Sequence, residues 1–540
     1  MKVVITGGFG FLGLHLCKRL LAVGELTSAD DEKKEVKQVI LFDLGEARDL
    51  PRDPRLRSVT GDIADAAECQ KLIDEDGMVI FHLASVMSGQ GEADFDICWR
   101  VNLEGTRNLL EACRKRTGCK FIFASSGACF GERPEGPETD LTKLLPGTSY
   151  GMTKACCELM INDYTRRHFL DGRVARLPTV IPRPERNSGL PAAFSDVLRE
   201  PLLGNDCVLN LPPDMPHAVC GYRVLVRNLL HLADLPQAAF ADSTDRAMNL
   251  PCLSLTLQQL YEALQSLVPS ARLGKVSYEP DVNLTAKLKS FHRNMLATRG
   301  RSMGMVADSS AAAIAADFAA EYVDAGMLKD IVEIYEEPRH WMTFSNEHLK
   351  VFRVENAPGD TTLTHIHRVD SLYFFFSESQ VQGTKWKEEP KDDVLQDGEV
   401  RYGDHGTTCT LIHKIHNKSR PVMMCLDVEF AGFHQESAEF PAKRPKTEPP
   451  SISPPLKLIK ERPAVRVYTI DVAAGSSCSC ALPFAKVLLV VHRGARIRGT
   501  LGECFVKAGD VFFREGPEEM KLEVLGTRRD LRLWIVELLY

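Results

Sequence analysis

The sequence has no apolar run approaching the roughly 18 residues that a helix needs to span a bilayer, so an integral helical membrane protein is not expected. It has no basic excess either. Its 66 Lys and Arg stand against 73 Asp and Glu, a net charge of −7 with a pI near 6.1, which leaves no basic face for nucleic acid and points to a small-molecule partner. A disulfide framework is also missing. The 16 cysteines are scattered, with Cys156 and Cys157 adjacent and Cys478 and Cys480 one residue apart, so reduced thiols in a reducing compartment are expected. The opening MKVVITGG is already a buried strand and leaves no room for a cleavable leader, which makes a cytoplasmic protein the expectation.

At 540 residues the chain is too long for one core. Over residues 1–333, short apolar runs (KVVIT, QVILFDL, MVIFHLA, KFIFASS) alternate with helical periodicity (HLCKRLLAV, AECQKLI, NLEGTRNLLEACRKR). Such alternation predicts an α/β, doubly wound parallel Rossmann sheet, here with a small substrate subdomain. FAAEYVDAGMLKDIVEIY reads as helical, and then the texture changes. Residues 334–438 carry short alternating segments such as HLKVFRVENA, SLYFFF and VMMCLDVEFAGF, the pattern of an all-β barrel. Residues 439–463, rich in proline and charge, read as a linker whose KRPK core is solvated chain. Residues 464–540 read as a second, shorter β unit.

ITGGFGFLG follows the first strand and opens a helix, with Gly7, Gly10 and Gly13 at the spacing that turns a backbone tightly against a pyrophosphate. Phe11 and Leu12 belong to the same loop, and Ala84 follows a neighbouring strand. The second strand ends at Asp43, where a carboxylate accepts from both ribose hydroxyls and repels a 2′-phosphate, so NAD is expected over NADP. Asp62, after the third strand, is placed to reach the adenine amino group or to cap a helix.

SYGMTKACCELM sets Tyr150 and Lys154 four residues apart, on one face of a helix. A free tyrosine, with a pKa of about 10, is no base near neutrality. A neighbouring ammonium and an oxidised nicotinamide both favour its phenolate. FASSGACFG offers Ser125 and Ser126 at the C-terminal edge of a later strand, where doubly wound sheets hold ligands. Ser126, Tyr150 and Lys154 are the candidate catalytic residues.

These motifs, with HLASVMSGQGEADFDICWRVNLEGTRNLLEA, REPLLG and AMNLPCLSLTLQQLYEAL, resemble extended short-chain dehydrogenases/reductases of the NAD-dependent epimerase/dehydratase family, and within them the D-erythronate dehydrogenases. The resemblance implies NAD-dependent oxidation of a four-carbon sugar acid at the hydroxyl beside its carboxylate, giving the 2-oxo acid. It assigns the base to Tyr150, its partner to Lys154, the hold on the reacting oxygen to Ser126 and a buried structural role to Asn102. Two departures bear on substrate. Nucleotide-sugar relatives carry asparagine where this chain has Thr179, and the family's Arg-Pro-Gly-Lys-Pro-Asn appears as RPERNSG, with Arg183, Pro184 and Asn187 matching. Arg183 is the candidate clamp for a substrate carboxylate. A nucleotide-sugar epimerase or dehydratase and an NAD-dependent sensor or scaffold with a silent site are the competing functions. The helix of Tyr150 carries Cys156, Cys157, Leu159 and Met160, which suit a homodimer seam or a core stripe equally.

GDTTLTHIHRVD and, downstream, HKIHN resemble the paired motifs of cupins, small β-barrels that converge histidines on a metal. The resemblance implies a divalent transition metal held by His365, His367 and His413. The glutamate that cupins place shortly after His-x-His is missing, and Asp370 comes one residue early. In the last unit VKAGDVFFREG shares the cupin rhythm without the histidine pair, and His492 reads as structural.

Overall fold

A computed structural model describes residues 1–47, 50–131, 136–186, 189–240, 243–288, 291, 294–406, 410–430, 456–462, 464–482, 484–501, 504–525 and 530–539. The chain forms two compact units, Met1–Pro338 and Arg339–Tyr540.

In the first unit the apolar runs form β1 (Lys2–Thr6), β2 (Gln38–Asp43), β3 (Leu56–Thr60), β4 (Val79–His82), β5 (Lys120–Ser126), β6 (Asp171–Leu177) and β7 (Ala247–Asn249). They make one parallel sheet in the order β7-β6-β5-β4-β1-β2-β3. Both of its faces are covered, as the unbroken apolar runs require. Val3, Ile5, Leu41 and Phe81 enter one core, while Val4, Ile40, Phe42 and Ile80 enter the other. The helix Phe11–Val23 (α1) follows β1, Gly105–Arg114 (α2) precedes β5, and Ser149–Arg166 (α3) follows it. Strand order reverses between β1 and β4, so the loops leaving these two strands part into a crevice at the carboxyl edge of the sheet. A small sheet of Thr179–Ile181, His217–Gly221 and Leu253–Leu255 and the helix Ala193–Leu202 lie outside the main sheet. The expected long helix after Asp317 is broken. Ala311–Phe318 is α-helical and passes through a π-turn, Ala319–Asp324, and a 3₁₀ turn, Ala325–Met327, after which Val332–Glu333 is extended.

The second unit is all β. Its strands are β8 (His340–Ser345), β9 (Lys350–Asn356), β10 (His365–His367), β11 (Ser371–Phe375), β12 (Ser379–Lys385), β13 (Lys391–Leu395), β14 (Val400–Gly403), β15 (Leu411–Asn417) and β16 (Met423–Glu429). One sheet runs β8-β9-β16-β11-β14, and β10-β15-β12-β13 pair in a second. Downstream, a five-stranded sheet pairs Lys457–Arg462, Val465–Val472, Leu531–Leu538, Lys486–Arg493 and Val511–Glu515, and a four-stranded sheet accompanies it. Lys457–Arg462 therefore departs from the linker reading: its backbone hydrogen bonds go to Val465–Val472, which an exposed charged strand at a sheet edge can satisfy. Residues 439–455 of that linker lie outside the described residues. The two β segments are not separate bodies. Leu349, Leu372, Phe374 and Leu426 share one core with Val467, Leu488, Trp534 and Val536.

Leu372 is fully buried in this shared core. Leu372→Ala is expected to cost about 2–5 kcal/mol, read as a lower urea midpoint by tryptophan fluorescence; an unchanged midpoint would contradict a common core.

Candidate functional site

The three glycines of the first loop differ in what confines them. Gly7 has φ +69°, and a Cβ there would stand 2.8 Å from the backbone nitrogen of Ala84. A Cβ on Gly13 would stand 2.3 Å from Gly7 O, so α1 could not approach the loop. At Gly10 the nearest atom is 3.3 Å away, and its surroundings alone do not demand glycine as strongly; all three glycines line the cavity. Gly10 caps α1 without a side-chain hydrogen bond, which leaves the first N–H groups of the helix for an anion. Phe11, Leu12 and Ala84 line the same cavity.

Asp43 closes β2 at the rim of this loop. Its carboxylate accepts from the backbone N–H of Phe9 at 3.0 Å and of Leu44 at 2.8 Å, which fixes its direction. Asp62 also lines the cavity; it accepts from Ala64 N at 2.9 Å and pairs with Arg100 at 3.1 Å. The helix cap that follows is Asp65 rather than Asp62. A cradle of this kind, with glycines where side chains would collide and a carboxylate at the second strand's end, fits a dinucleotide.

Asn102 lies in a π-helical turn, Trp99–Glu104, and is buried. Its side chain accepts from Val86 N at 2.7 Å and donates to Val86 O at 3.1 Å, clamping the loop that leaves β4. His82, which the sequence reading passed over, sits between Thr6 at 2.7 Å and Thr106 at 2.9 Å; burial holds it neutral, with its pKa lowered to about 3.

The two serines at the end of β5 part company. Ser125 donates to Glu158, which is locked in a buried pair with Arg176 at 2.8 Å. Ser126 lines the cavity with Tyr150, and its hydroxyl favours ionisation of the phenol. Thr148 caps α3 by accepting from Gly151 N at 3.1 Å and sets Tyr150 in the first turn. Lys154, one turn on, donates to Ala124 O at 2.8 Å, with its ammonium 5.6 Å from the Tyr150 ring centre.

Burial dominates both groups. It pushes the Tyr150 phenol up to about 12, against the lowering influence of Ser126 and Arg183, and pulls Lys154 down to about 8. The expectation that the lysine sets the tyrosine's acidity is thus only part of the account: Ser126 and the Arg183 guanidinium are the neighbours that counter desolvation.

Arg183 lines the same cavity and has no carboxylate partner among the described residues. Arg199 holds its loop by donating to Arg183 O at 3.1 Å and Glu185 O at 3.3 Å. Arg186, by contrast, is exposed and pairs with Glu200 at 3.3 Å, and Asn187 lies outside the described residues. Thr179 also lines the cavity, and its hydroxyl is 2.7 Å from Nε2 of the buried His217, a residue that no motif marked. Gly7, Gly10, Gly13, Asp43, Ser126, Tyr150, Lys154 and Arg183 therefore open on one cavity.

In the second unit His365 and His413 are cross-strand partners on β10 and β15, and Nε2 of His367 is 3.1 Å from Nε2 of His413. Asp370 turns elsewhere, accepting from Tyr402 at 2.6 Å and from Gly406 N at 2.9 Å. His492 is held by Asp397 at 2.9 Å and stacks on Trp534.

Residues 3–239 match the family model described as the NAD dependent epimerase/dehydratase family. D-erythronate dehydrogenase of Cupriavidus necator is 38% identical over 312 residues, which cover 57% of this chain and 95% of that protein. D-erythronate dehydrogenase of Haemophilus influenzae is 36% identical over 314 residues, covering 57% and 96%. Among solved structures, the nucleoside-diphosphate-sugar epimerase from Agrobacterium tumefaciens superposes with a TM-score of 0.55 at 32% identity, covering 60% of this chain and 95% of that one.

Gly13→Ala places a methyl group against Gly7 O and should weaken dinucleotide binding at least tenfold by calorimetry while Gly10→Ala, with more room, retains the fold by circular dichroism; equal affinity for Gly13→Ala and wild type would remove the glycine loop from the site.

Proposed function

The chain belongs to the NAD dependent epimerase/dehydratase family, and on that premise we propose that its first unit oxidises a secondary alcohol of a small sugar acid, D-erythronate or a close analogue, to the 2-oxo acid. It is an NAD-dependent dehydrogenase of the extended short-chain type. The observation that carries the substrate reading is the meeting of Ser126, Tyr150 and Lys154 with an unpaired Arg183 in the cavity of the glycine loop.

NAD, when bound, supplies the hydride acceptor. Gly7, Gly10, Phe11, Leu12, Gly13 and Ala84 would hold it, with Asp43 on the adenosine ribose and Asp62 near the adenine. Tyr150 takes the proton of the alcohol as the phenolate. Ser126, which shares the cavity wall with that phenol, holds the oxygen as charge develops on it. Lys154, anchored to Ala124 O, keeps a positive charge beside the phenolate and reaches the nicotinamide ribose. Arg183 pairs with the substrate carboxylate, which turns the adjacent carbon toward Tyr150.

The competing nucleotide-sugar epimerase reading draws on the Agrobacterium tumefaciens structure. Thr179, bound to His217 where nucleotide-sugar relatives carry asparagine, favours the smaller acid. The intact Ser126, Tyr150 and Lys154 set disfavours a silent sensor.

Three further parts of the proposal concern setting and partners. Among the described residues the cysteines are free and no helix is long and apolar enough to cross a membrane, in keeping with a cytoplasmic setting. A homodimer is proposed through α3, where Leu159 is 67% exposed while Cys157 is wholly buried, so the stripe divides between surface and core. In the second unit, read as a cupin-like barrel, His365, His367 and His413 are proposed to hold a divalent transition metal.

Wild type with NAD and D-erythronate is expected to form NADH, and Tyr150→Phe to lower kcat roughly 10²–10⁴-fold; tightly retained NAD with no net NADH would favour the epimerase instead. Because the phenol must lose its proton and burial holds its pKa high, turnover should rise with pH, and Arg183→Met should move that rising limb to higher pH while raising KM roughly 10–100-fold. A lowered or unmoved limb would show that Arg183 does not face the phenol. Leu159→Arg should halve the mass seen by light scattering; a wild type already monomeric would refute the seam.

A further inference from the structure

The second unit encloses more ligating groups than its motifs announce. His340, the first residue of β8, is buried, and its ring centre is 4.6 Å from that of His365. The ligating atoms of His340, His365 and His367 lie within 4.8 Å of one another, as do those of His367, Asp427 and Glu429. His367 thus stands between an imidazole cluster and a carboxylate pair.

The pleat explains how the carboxylates come to be inside. On β16, Leu426, Val428 and the following Phe430 enter the core shared with the last sheet, so Asp427 and Glu429 point the opposite way, toward β10 and β15. Both are buried, and Asp427 is 1% exposed at its side chain. Among the described residues neither of its oxygens has a hydrogen-bond partner of good geometry. The Ser371 hydroxyl on the adjacent strand donates to Val369 O at 3.2 Å. Nδ1 of His367 lies 3.4 Å from Asp427 and 3.8 Å from Glu429, with the Tyr373 hydroxyl 3.5 Å from the same nitrogen. A buried carboxylate with no well-placed donor is costly. A bound cation removes that cost.

The imidazoles are oriented for such a cation. Nδ1 of His365 donates to Leu363 O at 2.9 Å, which leaves Nε2 as the ligating atom. A proton on Nδ1 of His367 pointing at Asp427 has the same effect, and Nε2 of His367 then faces Nε2 of His413 at 3.1 Å. That spacing is what two imidazoles at about 2.0–2.1 Å from one ion present.

Resting on the reading that this unit takes a metal, we propose that His340 joins His365, His367 and His413 as a ligand to one divalent first-row transition ion, with Asp427 behind His367 as the positioning carboxylate. Nitrogen ligands select such an ion over calcium or magnesium. The shell differs from the motif in kind: its fourth imidazole comes from a strand some 25 residues upstream of His365 and its carboxylate from one some 60 residues downstream, on the facing sheet.

The full chain, stripped with chelator and titrated with Co²⁺, tests this by visible absorption, with elemental analysis of untreated protein and circular dichroism as the control for folding. Wild type should carry about one ion per chain and show ligand-field bands. His365→Ala/His367→Ala should abolish both. His340→Ala should weaken Co²⁺ binding roughly 10–100-fold and change the band shape, and Asp427→Asn should weaken it by a similar factor with the band shape kept. No metal on wild type, purified or titrated, overturns the metal reading itself. Metal on wild type with unchanged affinity and spectrum for His340→Ala overturns only the shell proposed here, and an altered spectrum for folded Asp427→Asn would make Asp427 a ligand and overturn its positioning role.

Discussion

Charge cannot be taken out of water without a partner, and the interior of each unit is arranged around that constraint. Most buried charges here are answered within the chain. Arg176 meets Glu158, Arg173 meets Asp171 and three backbone carbonyls, and Lys120 donates to Thr27 O and Ala233 O. Two stand out against that background. Arg183 is a half-buried cation on the cavity wall with no carboxylate partner among the described residues, and Asp427 is a buried carboxylate whose oxygens have no well-placed hydrogen-bond partner among them. The sign of each defect names what would repair it: an anion at the first, a cation at the second. The sugar-acid reading of one unit and the metal reading of the other follow from the same electrostatic reasoning.

The doubly wound sheet was legible because a strand covered on both faces must be largely apolar, and four such runs, those of β1, β2, β4 and β5, recur between helical periods. The chemistry at its edge was legible for a related reason. Glycine at Gly7 and Gly13 is demanded by backbone approach, and Tyr150 and Lys154 must share a helical face, so both leave fixed spacings in sequence. What was missed has no local spacing. His217 reaches Thr179 across two paired strands, and His340 reaches His365 from another sheet. Asp427 and Glu429 were hidden by the alternation itself. In VMMCLDVEF the leucine, valine and phenylalanine read as the buried face and the acids as the solvent face, whereas both faces of this strand are covered. The strand Lys457–Arg462 was obscured in the same way, by a charged composition that an edge strand tolerates.

Desolvation also determines how the first site divides its labour. It drives Tyr150 up and Lys154 down, to about 12 and about 8, so the pair favours a neutral phenol over an ion pair until further positive charge is nearby. Each unit by which the phenol's pKa is brought back down is worth about 1.4 kcal/mol toward forming the phenolate. The Ser126 hydroxyl and the guanidinium of Arg183 supply part of that lowering. Both groups also touch the space a substrate would occupy, one at the reacting oxygen and one at the carboxylate. Substrate recognition and base activation therefore draw on the same two side chains. On the proposed reading, an acid that neutralises Arg183 would weaken the field on Tyr150 while bringing its hydroxyl to Ser126, an arrangement that suits a substrate whose two polar groups are adjacent. A longer acid would spend the charge of Arg183 without presenting its alcohol to the base, which is a physical reason for a compact hydroxy acid rather than an extended one.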